Sequence, residues 1–536
     1  MSRTMKRLRR SAFAALVCAV MVTATTTAIQ ASTPAKTTVD KAGILRIGAN
    51  LAIGSGIQTD VNGVGGPNPT WFGVLGATVL GAPLRLGKTP GTYEPWLAES
   101  YKIIDPQHFE LVMRKGLTFQ DGEPYTAQKL ADTLMAKKAI VLKGNLPATA
   151  NALDRTTLPI ITDITVSSPT KLTINLSQPK AALLLEILSN ANGSVVSSKS
   201  TPDHPIGAGP FKFVSLDRNT KMVLTRWDGF FDAAKYKVAG VEVINVGAGD
   251  PALNALQAGQ IDMGIIDPLV GPSLAQRGNY KVVSSPLQAY YWVGICKSEK
   301  PFDDPQVRQA LSMAVDRNEL NQLVLNGEGK TQVGLWPKGD PRAVASIEKT
   351  AQQKPDIAKA KALLAKAGAS NLSLTLLTTP AAIGQQKLAE LLQAQWAKIG
   401  VTVKVVGVID LSVAYFGASR QGDLGVRTWF EGGAQKVAIQ FTVPSFANVC
   451  SYTDPQLTEL ANTLSGLDPT SPAAITAWHK VQQIVYDQAL NIATVTQVAD
   501  LGVNADRVRG LKPGCTSTAA GLSPCPNLEG VYIVKS

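Results

Sequence analysis

In the second half of the chain, apolar residues recur at two spacings that alternate. Val307, Ala310, Leu311, Ala314 and Val315 fall three and four apart, as on one helix face. Asp304 stands as N-cap and Pro305 in the first turn. A second helix is predicted from Asp356, with Leu363 and Leu364 apolar and Gly368 closing it. Leu372, Leu374 and Leu376 then alternate as a strand. Leu388, Leu391, Leu392, Trp396 and Ile399 mark a third helical face ended by Gly400, and Val401, Val403 and Val405 alternate again. Helix, strand, helix, strand in succession predicts an α/β lobe with a partly parallel sheet.

The first half is less regular. Strands are expected over Ile44–Ile53, over Phe109–Met113 and through Leu172, Ile174 and Leu176. Gly54–Pro69 reads as a glycine-rich loop, and Thr126 caps a helix carrying Leu130 and Leu134. No fixed-period repeat is present, which excludes a solenoid.

The chain has 536 residues, 45% of them hydrophobic, too many for one core; two or three lobes are expected. Its N-terminus is a basic head (Arg3, Lys6, Arg7, Arg9, Arg10), an apolar run from Ala12 to Val22, and a Thr/Ala/Ser-rich stretch. These are the parts of a secretory signal peptide, with cleavage after Ala31 or Ala28. Cys18 lies inside the apolar run, preceded by Val17, and reads as part of the signal core and not as a lipid anchor. The formal charge of +12 falls to about +7 without the five signal-peptide bases, and no Lys/Arg run follows, which argues against nucleic-acid binding. Four cysteines remain. In an exported chain they suggest disulfides, Cys515 with Cys525 and, by remainder, Cys296 with Cys450.

Candidate catalytic chemistry is sparse. The three histidines, His108, His204 and His479, sit beside a strand, beside Pro205 and in an amphipathic helix, with no G-x-S-x-G elbow to make a hydrolase triad. No His/Cys cluster has zinc spacing, and there is neither a P-loop nor a dinucleotide fingerprint. No metal, cofactor or enzymatic activity is expected.

Four segments, in order, resemble a known family. Glu94-Pro95-Trp96-Leu97-Ala98-Glu99-Ser100 leads to Arg114-Lys115-Gly116 and Asp121-Gly122-Glu123-Pro124. Gly207-Ala208-Gly209-Pro210-Phe211 is followed by Ala255-Leu256-Gln257-Ala258-Gly259-Gln260-Ile261-Asp262. Pro301-Phe302-Asp303-Asp304 runs into Val307–Arg317, and Ala360–Gly368 completes the set. Together they resemble the extracellular solute-binding proteins, family 5, that serve oligopeptide, dipeptide and nickel ABC importers. The motifs themselves read as structural. Asp121-Gly122 is a turn, Gly207 and Gly209 permit close approach before a strand, and Arg308 and Arg317 are expected to hold their helices by ion pairs.

The resemblance implies an α/β, periplasmic-binding-protein-like two-lobed clamshell with an additional inserted domain, three-part and hinged. After a signal peptide over 1–31, residues 32–75, 199–285 and 499–536 are expected to build lobe I. Residues 76–198 form the inserted domain and 286–498 lobe II. The implied role is capture of an oligopeptide or similar mid-sized solute in a closing cleft and delivery to ABC permease subunits, by a monomer that is exported and not lipid-anchored. A peptide-sensing receptor in signalling is the alternative, and a secreted enzyme a more distant one. Candidate ligand contacts are Tyr290 and Trp292, on one face of a strand with Tyr291 opposite, together with Trp336, Trp429, Phe430 and Glu431. The resemblance places a tryptophan followed by an aspartate-rich turn where Trp429 stands. Glu431-Gly432-Gly433 departs from that turn, leaving Glu431 as the group to meet a ligand amine. Arg427 reads as a solvated strand residue, with a ligand carboxylate as its alternative partner.

Overall fold

The computed structural model describes residues 38–49, 75–87, 89, 91–144, 156–190, 193–201, 203–217, 220–380, 382–415, 420–430, 433–442, 448–513 and 528–535. The signal-peptide region with Cys18, the strand end 50–53, the loop 54–69, Glu431, Cys515 and Cys525 lie outside these, as do the side chains of Trp429 and Phe430. Residues from Val39 onward form one compact unit.

Eighteen strands are described. β1 is Ile44–Ala49, β2 Leu84–Leu86, β3 Tyr93–Pro95, β4 Ala98–Asp105, β5 His108–Met113, β6 Ile161–Ser168, β7 Lys171–Leu176, β8 Phe211–Asp217 and β9 Lys221–Arg226. β10 is Gly240–Asn245, β11 Met263–Ile266, β12 Tyr280–Ile295, β13 Ser373–Thr378, β14 Thr402–Gly407, β15 Leu424–Phe430, β16 Ile492–Asn504, β17 Val508–Arg509 and β18 Tyr532–Ile533. Ten of them make one mixed sheet in the order β14-β13-β15-β12-β16-β11-β1-β10-β9-β8. β1 pairs in parallel with β10 and β11, and β13 in parallel with β14 and β15, as the alternation of helices and strands predicts.

At the centre, β12 and β16 run antiparallel along most of their lengths and belong to both halves of the sheet. Residues 280–286 pair with 498–504 beside β11, and residues 290–293 pair with 492–496 beside β15. The register shifts between Pro286 and Tyr290 and again between Tyr290 and Trp292. A sixteen-residue strand spans about 50 Å at ~3.3 Å per residue, enough to cross from one core to the other. The cores are separate. One gathers β1, β8 to β11 and the small sheet around Leu45, Phe109, Leu172 and Phe211; the other gathers Val293, Leu311, Leu376, Leu392 and Trp396.

A second, antiparallel sheet, β4-β5-β7-β6, packs the helix Ala127–Leu142. Thr126 caps this helix by accepting from the Lys129 amide at 3.1 Å, and β5 and β7 alternate buried and open positions as half-buried strands do. The caps at Asp304 and Asp356 form as expected, accepting from Gln306 at 2.7 Å and Lys359 at 2.9 Å. Gly207 and Gly209 stand where a Cβ would come within 2.2 Å of the Val79 carbonyl and 2.5 Å of the Thr78 carbonyl, so no side chain fits there.

One expectation is corrected. Arg308 and Arg317 make no ion pair among the described residues; carbonyl groups cage them. Arg308 donates to Phe302 O at 2.7 Å and Gln488 O at 2.8 Å. Arg317 donates to Gln332 O at 2.9 Å and Ala493 O at 3.0 Å. Both are buried, and burial lowers the Arg317 pKa to about 10. A guanidinium with five donors is satisfied by converging carbonyls without importing a second charge. The disulfide Cys296–Cys450 is present and ties the end of β12 to the segment after the helix Ala434–Phe441.

Candidate functional site

Strand alternation sends Tyr290 and Trp292 to one face of the sheet and Tyr291 to the other, as the sequence implies. Both faces lie at the crossing between the two cores.

On the Tyr291 face, a cavity of about 410 Å3 opens between the halves. Asp250, Pro251, Asp267 and Leu269 line it from the half that holds β1; Pro380, Ile383, Lys387 and Glu390 line it from the half that holds β13. The phenol of Tyr291 donates to Ile383 O at 2.8 Å and fixes the rim. Two helices, Asp250–Gln257 and Gln385–Ala397, begin at this cavity, so their N-terminal amides and carboxylates of both halves frame one space. Its size falls within the range of small-solute pockets, roughly 300–1,000 Å3.

On the opposite face the helix Ala434–Phe441 lies over Tyr290 and Trp292, which are buried. Ile439 packs against this pair and Ala493. The Lys436 ammonium stands 4.6 Å over the Tyr290 ring, a cation–π contact. Asn491 Nδ2 donates to the Tyr290 hydroxyl at 2.9 Å, while its Oδ1 and both amide atoms of Gln440 have no hydrogen-bond partner among the described residues. Lys436 and Gln440, four apart, share a helix face. Lys297 places its Nζ 5.5 Å from the Phe441 ring and 5.6 Å from Tyr452. Burial pulls its pKa down to about 7, with Arg308 adding to the effect. Buried polar groups cost ~1–3 kcal/mol each when unsatisfied, so a layer this rich in them is built for polar contact and not for packing alone.

The small antiparallel sheet and its helices reach the same layer. Glu186, on the helix Leu183–Leu188, lies against Gly433, where a Cβ would fall 2.2 Å from the carboxylate oxygen. Gly433 is the N-cap of the helix Ala434–Phe441 and offers no side chain of its own, so the carboxylate arrives from another part of the fold to meet the helix start. Burial pushes the Glu186 carboxyl up to about 7; Arg342 and the Gly433 amide pull the other way. Arg342 is itself held by Asp340, at 2.9 and 2.7 Å.

The sequence-derived candidates fall in three places. Tyr290 and Trp292 form the floor beneath the helix Ala434–Phe441. Trp336 is buried in a satellite core, edge-on to Trp478 with ring centroids 5.0 Å apart and Arg342 5.1 Å from its ring. Trp429 and Phe430 pair through their backbones with Tyr290 and Ala289, which places the chain leading to Glu431 beside that floor. Arg427, opposite Trp292 in the register, is not a solvated strand residue. Burial lowers its pKa to about 10, with Asp410 opposing. Sequence reading missed Lys297, Lys436, Gln440, Asn491 and Glu186. Of these, only Lys436 and Gln440 carried a local signal, polar residues four apart on a helix that, Gln435 aside, is otherwise apolar.

Two cores joined by a pair of crossing strands, around a cavity that both halves line, are the two-lobed architecture of a solute-binding protein. The comparisons with known proteins give the particular kind. The chain belongs to the bacterial extracellular solute-binding proteins, family 5, whose family model ("Bacterial extracellular solute-binding proteins, family 5 Middle") matches residues 92–442. It is therefore a substrate-binding protein of the ABC-transporter type, extracytoplasmic in class, from a family of binding proteins. Among curated relatives, the glutathione-binding protein GsiB of Escherichia coli O6:K15:H31 (strain 536 / UPEC) is 26% identical over 428 residues, covering 75% of this chain and 80% of that protein. Among solved structures, DppA from Helicobacter pylori in complex with peptide STSA superposes with TM-score 0.73 at 19% identity, covering 92% of this chain and 98% of that one. The periplasmic binding protein AgaA from A. tumefaciens R10, in complex with agropinic acid, gives TM-score 0.73 at 22% identity, covering 92% and 99%. These two likenesses establish the fold. No helix among the described residues is long and apolar enough to cross a membrane.

Proposed function

We propose that this protein captures a small zwitterionic solute of peptide type between its halves and presents it, closed, to the membrane permease of an ABC importer. The observation that carries the reading is the two-sided charged lining of the interlobe cavity. Asp250, Asp267 and Glu390 offer carboxylates to a ligand amine, Lys387 offers an ammonium to a ligand carboxylate, and apolar residues fill between them. The similarity to a glutathione-binding protein, whose ligand is a charged tripeptide, supports the same class.

In this reading lobe I comprises residues 32–75, 199–285 and 499–536, the inserted domain 76–198, and lobe II 286–498. Tyr290, Trp292, Trp336, Trp429, Phe430 and Glu431 are the residues proposed from the sequence to contact the ligand. Ligand contacts made to both lobes exist only in the closed form, so differential affinity drives closure without covalent chemistry. The protein acts as an exported monomer with no catalytic role and no lipid anchor.

The test is thermal unfolding of the mature chain, first stripped of carried ligand by partial unfolding and refolding, against glutathione, di- to pentapeptides, sugars, opines and nickel chelates. A ligand at 100 times its dissociation constant stabilises by about 2.7 kcal/mol. A shift confined to peptides is expected. A shift with a non-peptide class alone would remove the peptide reading and leave the family assignment standing.

A further inference from the structure

The crossing strands carry a second charged feature that solute capture does not use. Ser284 on β12 and Asp500 on β16 are directly paired in the antiparallel register, so their side chains share one face. Asp500 is fully buried, and among the described residues neither of its carboxylate oxygens makes a well-formed hydrogen bond, although Ser284 and Glu328 lie within its reach. Glu328, from the turn after the helix Arg317–Leu325, comes to the same place and accepts from the Ser284 hydroxyl at 2.7 Å. Asp267 follows β11, whose Ile266 pairs with Asp500. No lysine or arginine forms an ion pair with Asp500, Glu328 or Asp267 among the described residues. Burial pushes the Asp500 carboxyl up; the Ser284 hydroxyl opposes this, and Glu328, through its charge and hydrogen bonding, and the charge of Asp267 reinforce it.

Negative charge without a counter-charge gathers around one fully buried carboxylate, whereas two other buried acids of this chain are ion-paired and a third, Glu348, is held by the Gln482 amide at 2.6 Å. Asp262 takes Arg46 at 2.7 Å and Arg507 at 2.9 Å, and Asp340 takes Arg342 at 2.7 Å. A carboxylate buried without a partner is costly, and such groups pair or coordinate metals. The oxygen donors present, two carboxylates and a hydroxyl, are those of hard cations; thiol and imidazole ligands for softer metals are absent from the group.

We propose that Asp500, Glu328 and Ser284 form a binding site for a hard divalent cation, Ca2+ or Mg2+, at the hinge. Ser284 and Asp500 sit on the crossing strands beside β11, whereas Glu328 belongs to the segment that Lys330 and Thr496 tie to the other end of β16, through 2.7 and 2.8 Å bonds. A cation held by all three braces that segment against the crossing strands, beside the Asp267 wall of the solute cavity. Few protein ligands and open access for water on the Glu328 side place the affinity with extracellular calcium modules, about 10⁻⁴–10⁻³ M.

The experiment is isothermal titration and thermal unfolding of the EDTA-treated mature chain with CaCl2 and MgCl2, up to about ten times that range, at constant ionic strength set with NaCl. Wild type is expected to bind one divalent ion per chain and to gain a cation-dependent rise in Tm that NaCl does not reproduce. Glu328→Gln, at the exposed edge of the group, should weaken binding at least tenfold while folding normally, and Asp500→Asn should abolish it. The proposal is overturned if wild type shows neither heat nor shift, or if Glu328→Gln binds as wild type does. It is equally overturned if either variant is more stable than wild type while wild type ignores both cations. That last result would mean that the two carboxyl groups share a proton.

Discussion

Glu186 meets a problem that this chain solves elsewhere by other means: a charged group removed from water. Arg308 and Arg317 are answered by carbonyl dipoles and Asp262 by two arginines. Glu186 has only a helix start and a partly committed Arg342. Its pKa is raised from 4.5 to about 7, so the folded protein holds a proton that the unfolded chain releases between those values. The contribution is full below pH 4.5 and is lost as pH rises through 7. Glu186→Gln should therefore match wild type near pH 4 and gain in relative Tm at pH 8, as read by parallel melts across that range. A constant difference at all pH values would show that Glu186 does not titrate there.

At this scale sequence was informative wherever the partner is a near neighbour. Asp304 and Asp356 cap amides two or three residues on, and both were legible. Arg308 reaches a carbonyl 180 residues away and Arg317 one 176 away, and no local pattern encodes those distances.

Among the elements, helices and strands with a strict period were readable because each buries one face. β13, β14 and the helix Gln385–Ala397 between them appear where the apolar spacing put them. What a single sequence conceals is the order of the strands. β11 lies beside β16 and β1 beside both β10 and β11, adjacencies set by packing over more than two hundred residues. The helix Ala434–Phe441 shows the same limit. Its amphipathic spacing is plain, but its cover over Tyr290 and its contact with Glu186 are tertiary.

The disulfide anchors this helix from its far end, and its removal is the test of that anchoring. It closes a loop with a sequence separation of 154, for which chain entropy sets a ceiling of about 5 kcal/mol. The double variant Cys296→Ser/Cys450→Ser should lose several kcal/mol of that in urea unfolding. Its amide exchange should rise in 434–451 before it rises in β5 or β13. Uniform exchange across the chain would mean that the bond stabilises without holding this region in particular.

For the whole molecule, the arrangement that matters is two cores sharing two strands. Neither half closes on its own, because β12 and β16 are core strands of both. Bending at the shared strands is thus the cheapest relative motion, since it separates no core and breaks few ladder bonds. The cavity that both halves line sits beside that bend, so its shape and the angle between the halves are one variable.

The irregular register between Pro286 and Tyr290 has a consequence for how such a molecule can change. A strand has a parity: one added residue exchanges its two faces from that point onward. Inside a regular ladder, as at Val283 or Val293, an inserted residue would turn core side chains to the wrong side and is expected to abolish folding. Where pairing is already interrupted, the extra residue can be taken up locally, and the two halves keep separate frames. A glycine inserted after Leu287 should then yield a folded protein with altered ligand preference, and the same glycine after Val293 should yield none, as soluble expression and circular dichroism would show. The interruption works like an expansion joint in a bridge deck, letting either span be rebuilt while the other stays in place.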